Sequence, residues 1–259
     1  MRSILTVATV GAIGMSANAA VQSVYSFDQY GLGVGNMKNL SHTNTWAGAF
    51  TSAGDGFETY QRGVNATIPF AVLDDSAIPL SIGGFPGDTI GIEAGWNGFF
   101  GVVDTENGDN SGPVSATWAF DITGLTAMSM DIDFAAMGDF EASDVYSIEY
   151  DIDGGGFSSL FTITIDEASD ETYTMADGDV FLINDPVLVD GIKLNNVFQT
   201  LSAGIAGTGS TLTLRLTATA NGGTEAFAID NIVLNGIPTP GAVALLGLGG
   251  LVASRRRRA

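Results

Sequence analysis

The stretch TLTLRLTAT at 211–219 alternates apolar and polar side chains without a break. Successive side chains on a strand point to opposite faces, so Leu212, Leu214 and Leu216 share one face while Thr211, Thr213, Arg215 and Thr217 share the other. The same period of two, or a β-branched and apolar run, recurs in ATWAFDI (116–122), MSMDIDF (128–134), VYSIEYDI (145–152), LFTITI (160–165) and EAFAIDNIVL (225–234). Between these runs stand NGDNSG, DIDGGG, MADGDV and NGGTE, where glycine and Asn/Asp tolerate the positive φ of tight turns. Outside the two chain ends no stretch of helical period reaches three turns. The pattern predicts an all-β fold, an antiparallel β-sandwich of jelly-roll type, as one body over residues 20–236. A division into two domains near NGDNSG (107–112) competes with it, because the region before is richer in glycine and poorer in clear strands. No repeat of fixed period marks a solenoid or propeller.

The chain has no cysteine, which excludes disulfides, thiolate metal sites and a cysteine nucleophile together. Its 29 acidic residues all lie in the body, where only Lys38, Arg62, Lys193 and Arg215 oppose them. Such a surface repels phosphate backbones and argues against nucleic acid as a partner. Divalent cations and neutral polymers fit it.

The two ends read as addresses. MRSILTVATVGAIGMSANAA places Arg2 before an uncharged run from Ile4 to Met15 and then Ala17-Asn18-Ala19, the three parts of a secretory signal peptide in order. Residues 1–19 are therefore expected to be removed after Ala19 as the export translocon passes the chain. At 237–259, Pro238-Thr239-Pro240 precedes an apolar stretch from Gly241 to Ala253 and the run Arg255, Arg256, Arg257, Arg258. As a helix those 13 apolar residues would span about 20 Å, short of the roughly 30 Å hydrocarbon core. Arginine favours the cytoplasmic side, so the tail is expected to halt in the inner membrane with the body outside.

This ending resembles the PEP-CTERM sorting signal of Gram-negative envelopes, with Thr239 standing where that family has glutamate. The resemblance implies processing by an exosortase-type enzyme at Pro238, Thr239 and Pro240 and transient residence in the inner membrane. FAIDNIVL running directly into such an ending is similar to many PEP-CTERM proteins, and DVYSIEYDIDGGGF is similar to secreted sandwich domains related to carbohydrate-binding modules. The function expected is a non-catalytic cell-surface or extracellular-matrix component, with exopolysaccharide as a candidate partner. A carbohydrate-binding surface protein and a secreted glycan hydrolase are the alternatives.

Within the body, His42 is the sole histidine, which excludes multi-histidine metal sites, and no G-x-S-x-G elbow supports it as a catalytic base. It is expected in a solvated loop. Two carboxylates suffice for glycoside hydrolysis, yet no spacing marks a pair; Glu93 beside Trp96, Phe99 and Phe100 is the first candidate. Trp96, set among glycines, is the candidate ligand-stacking residue, with Trp46 a further aromatic and Trp118 expected in the core. Asp151-x-Asp153-Gly154, Asp177-x-Asp179 and the loop around Asp104, Glu106 and Asp109 offer hard oxygens for a structural calcium. The first opens like an EF-hand loop but has Thr162 where the bidentate glutamate belongs. Related sandwich domains imply a similar role for Asp230. The calcium candidates carried forward are Asp230, Asp151 and Asp153.

Overall fold

The computed structural model describes residues 20–27, 39–44, 46, 49, 55–61, 81–82, 85–86, 98–174, 180–223 and 225–239. The chain begins with β1 (Ala20–Tyr25), β2 (Asn39–Asn44), β3 (Gly56–Gln61), β4 (Ser81–Ile82), β5 (Phe85–Pro86) and β6 (Gly98–Val103). There follow β7 (Val114–Asp121), β8 (Leu125–Met137), β9 (Val145–Ile152), β10 (Ser158–Phe161), β11 (Ile163–Ile165) and β12 (Asp170–Thr174). The last are β13 (Val180–Asn184), β14 (Val187–Val189), β15 (Ile192–Lys193), β16 (Gln199–Ile205), β17 (Thr211–Thr219) and β18 (Ala226–Pro238). All the strand pairs are antiparallel, and there is no α-helix among the described residues. None of those residues forms a helix long and apolar enough to cross a membrane. The expected signal segment (1–19), Pro240 and residues 241–259, with the apolar stretch and the arginines, lie outside the described residues.

The main sheet runs β16-β8-β18-β6-β3, with β1 also paired to β18; the second runs β10-β9-β17-β7-β2. The alternation in TLTLRLTAT holds residue by residue: Leu212, Leu214 and Leu216 are buried and the residues between them are half-buried. They meet Met130, Ile132, Phe134, Phe227 and Ile229 of the main sheet in one apolar core. On the outer face of β17, Arg215 Nη2 donates to Glu149 Oε2 at 2.7 Å across the β17–β9 pair. Strands before residue 107 pair with strands after it, β1 and β6 with β18 and β2 with β7.

Two runs that read as single strands are interrupted. LFTITI breaks at Thr162, whose amide donates to Asp190 Oδ1 at 2.9 Å, so that β10 pairs with β9 while β11 pairs with β14. FAIDNIVL contains a β-bulge between Asp230 and Val233, with Asn231 at φ 42. A strand's side chains switch face where a residue is inserted. Phe227 and Ile229 enter the core before the bulge, Ile232 and Leu234 after it. The bulge also marks a fork. β8 occupies one edge of β18 throughout, whereas the other edge pairs with β6 at 227–229 and with β1 at 232–236. Asp230, fully buried, accepts at Oδ1 from the amides of Asn231 (2.7 Å) and Phe27 (3.4 Å) at that fork.

Strand directions place the loops 104–113, 138–144 and 220–225 at one end of the two sheets. The other end holds Gly124, Asp153, Ser210 and both described chain ends. There Ala20 is opposite Gly236, and the amide of Thr239 donates to Gly124 O at 2.8 Å. β18 thus continues through Ile237 and Pro238, past the expected limit of the body at 236.

Candidate functional site

The end remote from the chain termini gathers carboxyl groups. Loop 138–144 carries the chain from β8 in the main sheet to β9 in the second, and loop 220–225 returns it from β17 to β18. Glu141 and Asp144 come from the first crossing and Glu225 from the second. One oxygen from each lies within 4.8 Å of the others, and this is the one such group of His, Cys, Asp or Glu among the described residues. Asp144 is fixed by backbone: its Oδ2 accepts from the amide of Glu141 at 2.9 Å and its Oδ1 from that of Asn221 at 3.3 Å. Glu225 is 3% exposed, and its Oε2 has no hydrogen-bond partner. Gly222 backs directly onto this carboxyl, and a Cβ there would collide with it.

Electrostatics follows from the crowding. Burial, then the charges of Asp144 and Glu141, push the Glu225 carboxyl up to about 9. Burial and the neighbouring Asp144 raise Glu141 as well. Tyr146, 5% exposed, stands on β9 just beyond the loop and stacks on Phe227 at 4.7 Å. Its hydroxyl is buried with no partner, and burial together with the charges of Asp144, Glu225 and Glu141 pushes the phenol well above its ordinary value. Two more acid pairs occupy the same end. Asp104 is raised to about 6 by burial and by Asp55, and Asp139 is raised by burial and by Asp185.

The residues singled out by sequence fall elsewhere. Asp153, at φ 53, accepts from the amides of Ser210 (3.0 Å to Oδ2) and Thr211 (2.8 Å to Oδ1), and Asp151 Oδ1 accepts from Gly156 at 2.8 Å. Both organise the turn after β9. Asp230 is on the main sheet, opposite Asp133, and Asn231 Nδ2 donates to Asp133 Oδ2 at 2.9 Å and to Asp230 Oδ2 at 3.4 Å. The structure does not bring Asp230 together with Asp151 and Asp153. In the loop from Asp104 to Asp109, Asn107 and Asn110 bond to neighbouring backbone, and Asp104 faces Asp55, whose charge adds to burial in raising it.

His42 is not in a solvated loop. It sits in β2, stacks on Trp118 at 4.9 Å, and its Nδ1 donates to Thr117 O at 3.2 Å; burial lowers its pKa. Trp118 is fully buried, as its alternating strand predicts, and Trp46 packs against the same core. Trp96, Glu93, Asp177 and Asp179 lie outside the described residues.

Sequence reading missed the group because Glu225 lies more than 80 positions from Glu141 and Asp144, and NGGTE read as a turn. The available signal was Glu225 itself, an acid set flush against the apolar run AFAI with no basic residue near it.

No family model matches the chain, and no curated protein matches it. Among solved structures it is similar to a Stig cyclase, Fisc, from Fischerella sp. TAU, in complex with (3Z)-3-(1-methyl-2-pyrrolidinylidene)-3H-indole. That likeness covers 78% of this chain and 99% of the other at 12% identity and a TM-score of 0.31, too low to carry an inference about activity.

Proposed function

We propose that this protein is an exported, non-catalytic component of the cell surface or extracellular matrix of a Gram-negative bacterium, delivered by a PEP-CTERM and exosortase-type route. In this reading its body is a jelly-roll-like β-sandwich, residues 1–19 are a signal peptide, and the tail forms a short membrane helix until it is processed. The observation that carries the reading is the order of three parts at the end of the chain: Pro238-Thr239-Pro240, the apolar stretch, and Arg255 to Arg258. Proline at both flanks fixes φ and removes two backbone donors, which keeps the motif extended. The strand geometry is compatible with display. Both described ends leave from one end of the sheets, and β18 spans about 40 Å from there to the acid-rich loops. Calcium and neutral exopolysaccharide are the partners that this acidic surface suits.

The non-catalytic part of the reading draws on how the polar groups are used. The sole histidine is held between Trp118 and a backbone carbonyl, and Asp144, Asp151 and Asp153 are all engaged with backbone amides.

Mass spectrometry of the protein from its native envelope tests the route. The expected N-terminus is Ala20 or Val21, and the expected C-terminus lies before Ala259 only in cells that contain the exosortase. An intact Met1 end, or a mature chain still ending at Ala259 with the enzyme present, would overturn it.

A further inference from the structure

Three carboxyl groups within 4.8 Å of one another do not by themselves make a metal site. Two buried polar atoms at this place, one of them outside the three carboxyls, point to a ligand. Glu225 Oε2 and the Tyr146 hydroxyl are both buried beyond nine-tenths and both lack a hydrogen-bond partner. A buried polar group left unmade costs about 1–3 kcal/mol, so native proteins almost always satisfy such groups. A proton on Glu225 could bridge it to Asp144 or Glu141, but it would leave the Tyr146 hydroxyl without a partner.

We propose that Glu141, Asp144 and Glu225 form a calcium site, bordered by Tyr146, that ties the 138–144 crossing to the 220–225 crossing. The donors are all hard oxygens, which excludes a preference for soft metals. Calcium takes six to eight oxygens at 2.3–2.6 Å in flexible geometry, so oxygens on opposite sides of one ion stand roughly 5 Å apart. No two of the three oxygens stand more than 4.8 Å apart, so all three come within reach of one such ion. Magnesium, at 2.0–2.1 Å and near-ideal octahedral, usually keeps several waters and binds through one or two carboxylates, not through a cage of three. Asp144 is pre-set by the amides of Glu141 and Asn221, one bond to each oxygen, and each oxygen keeps a lone pair for an ion. Glu225 offers its unpaired Oε2 from the opposite loop, and Glu141, exposed, closes the site on the solvent side. Gly222 leaves the room that the Glu225 carboxyl occupies. A cation here also replaces mutual repulsion among the acids with attraction to one centre. Both loops pass from one sheet to the other, so the ion would clasp the two sheets together at the end remote from the chain termini.

The test uses the full chain, purified in mild detergent, melted in chelator and in millimolar calcium, with isothermal titration calorimetry against calcium alone. Calcium at a hundredfold excess over Kd should raise the folding equilibrium constant about a hundredfold. Glu225→Gln keeps the side chain's shape and should abolish that gain. If that variant does not fold, the exposed Glu141→Gln provides the second reading and should weaken Kd at least tenfold. A melting temperature identical in chelator and calcium would overturn the proposal. So would a gain that survives in the variants, one that magnesium reproduces in full, or one lost instead on Asp153→Asn or Asp230→Asn.

Discussion

Replacing Asp230 with alanine isolates what holds the fork in β18. The carboxyl is fully buried and accepts the amide of Asn231 at 2.7 Å and that of Phe27 at 3.4 Å. Without it, two amides at the point where β1 takes over from β6 lose their acceptor. Each such loss costs about 1–3 kcal/mol, the longer Phe27 bond falling at the low end. The sum is about 3 kcal/mol, a large part of the roughly 5–15 kcal/mol by which folded proteins are stable. Asp230→Asn retains one oxygen for both amides but turns an NH2 group toward Asn231 Nδ2, so it should cost clearly less. Urea unfolding, followed by tryptophan fluorescence because Trp118 lies in the adjoining core, gives the midpoint and slope for each variant. The expected order is wild type, then asparagine, then alanine, with an unchanged slope and the same loss in chelator and in calcium. An alanine variant within about 0.5 kcal/mol of wild type, the ordinary range for a surface change, would refute the idea that this carboxyl clips the fork. A loss seen only in calcium would make Asp230 an ion ligand, as its place in the last strand suggested.

Leu214→Ala, in the strand between β7 and β9, should cost about 2–5 kcal/mol in the same urea assay, while Thr217→Ala on the outer face should stay within about 0.5 kcal/mol. Asp104 is raised from 3.8 to about 6 in the folded chain by burial and Asp55; its contribution is therefore full below 3.8 and is lost as pH rises through about 6. Melts in chelator at pH 4 and pH 7.5 should thus show wild type losing more stability over that interval than Asp104→Asn; equal losses would count against the pairing. Replacing Arg255 to Arg258 with neutral residues should reduce the fraction of chain with a processed C-terminus, read by peptide mass spectrometry, because the tail loses its orienting charge.

Strands were legible wherever one face alone is buried. β9 and β17 fall on the residues that the alternation marks, since a period of two leaves no second way to hide Leu212, Leu214 and Leu216. β18 was harder. Buried on both faces from Ala226 to Asp230, it reads as a continuous apolar run, and nothing in FAIDNIVL announces that Asn231 will take a positive φ. Thr162 likewise looks like one more strand residue, because the partner that interrupts the run, Asp190, is 28 positions away. The acid group was hidden for a related reason. Turn composition explains GDFEASD and NGGTE well enough locally, and only the antiparallel pairing of β8 with β18 and of β9 with β17 brings the two loops to one end. His42 was misplaced because SHTN looks polar, whereas stacking on Trp118 is a property of the neighbouring strand.

The position of β18 in the main sheet sets an order of events for a chain made from its N-terminus. β8, β6 and β1 all pair with this one strand, and β1 lies 216 positions upstream where Ala20 meets Gly236. Until residues 226–238 have been made, that sheet exists only as the separate pairs β16–β8 and β6–β3 with β1 alone. Closing such a distant contact is slow because chain entropy must be given up before the pairing repays it. The main sheet therefore cannot close until its last strand is present, whereas the second sheet, β10-β9-β17-β7-β2, needs no part of that strand. Completion of the final strand is then the step that joins the separate pieces of the main sheet into one.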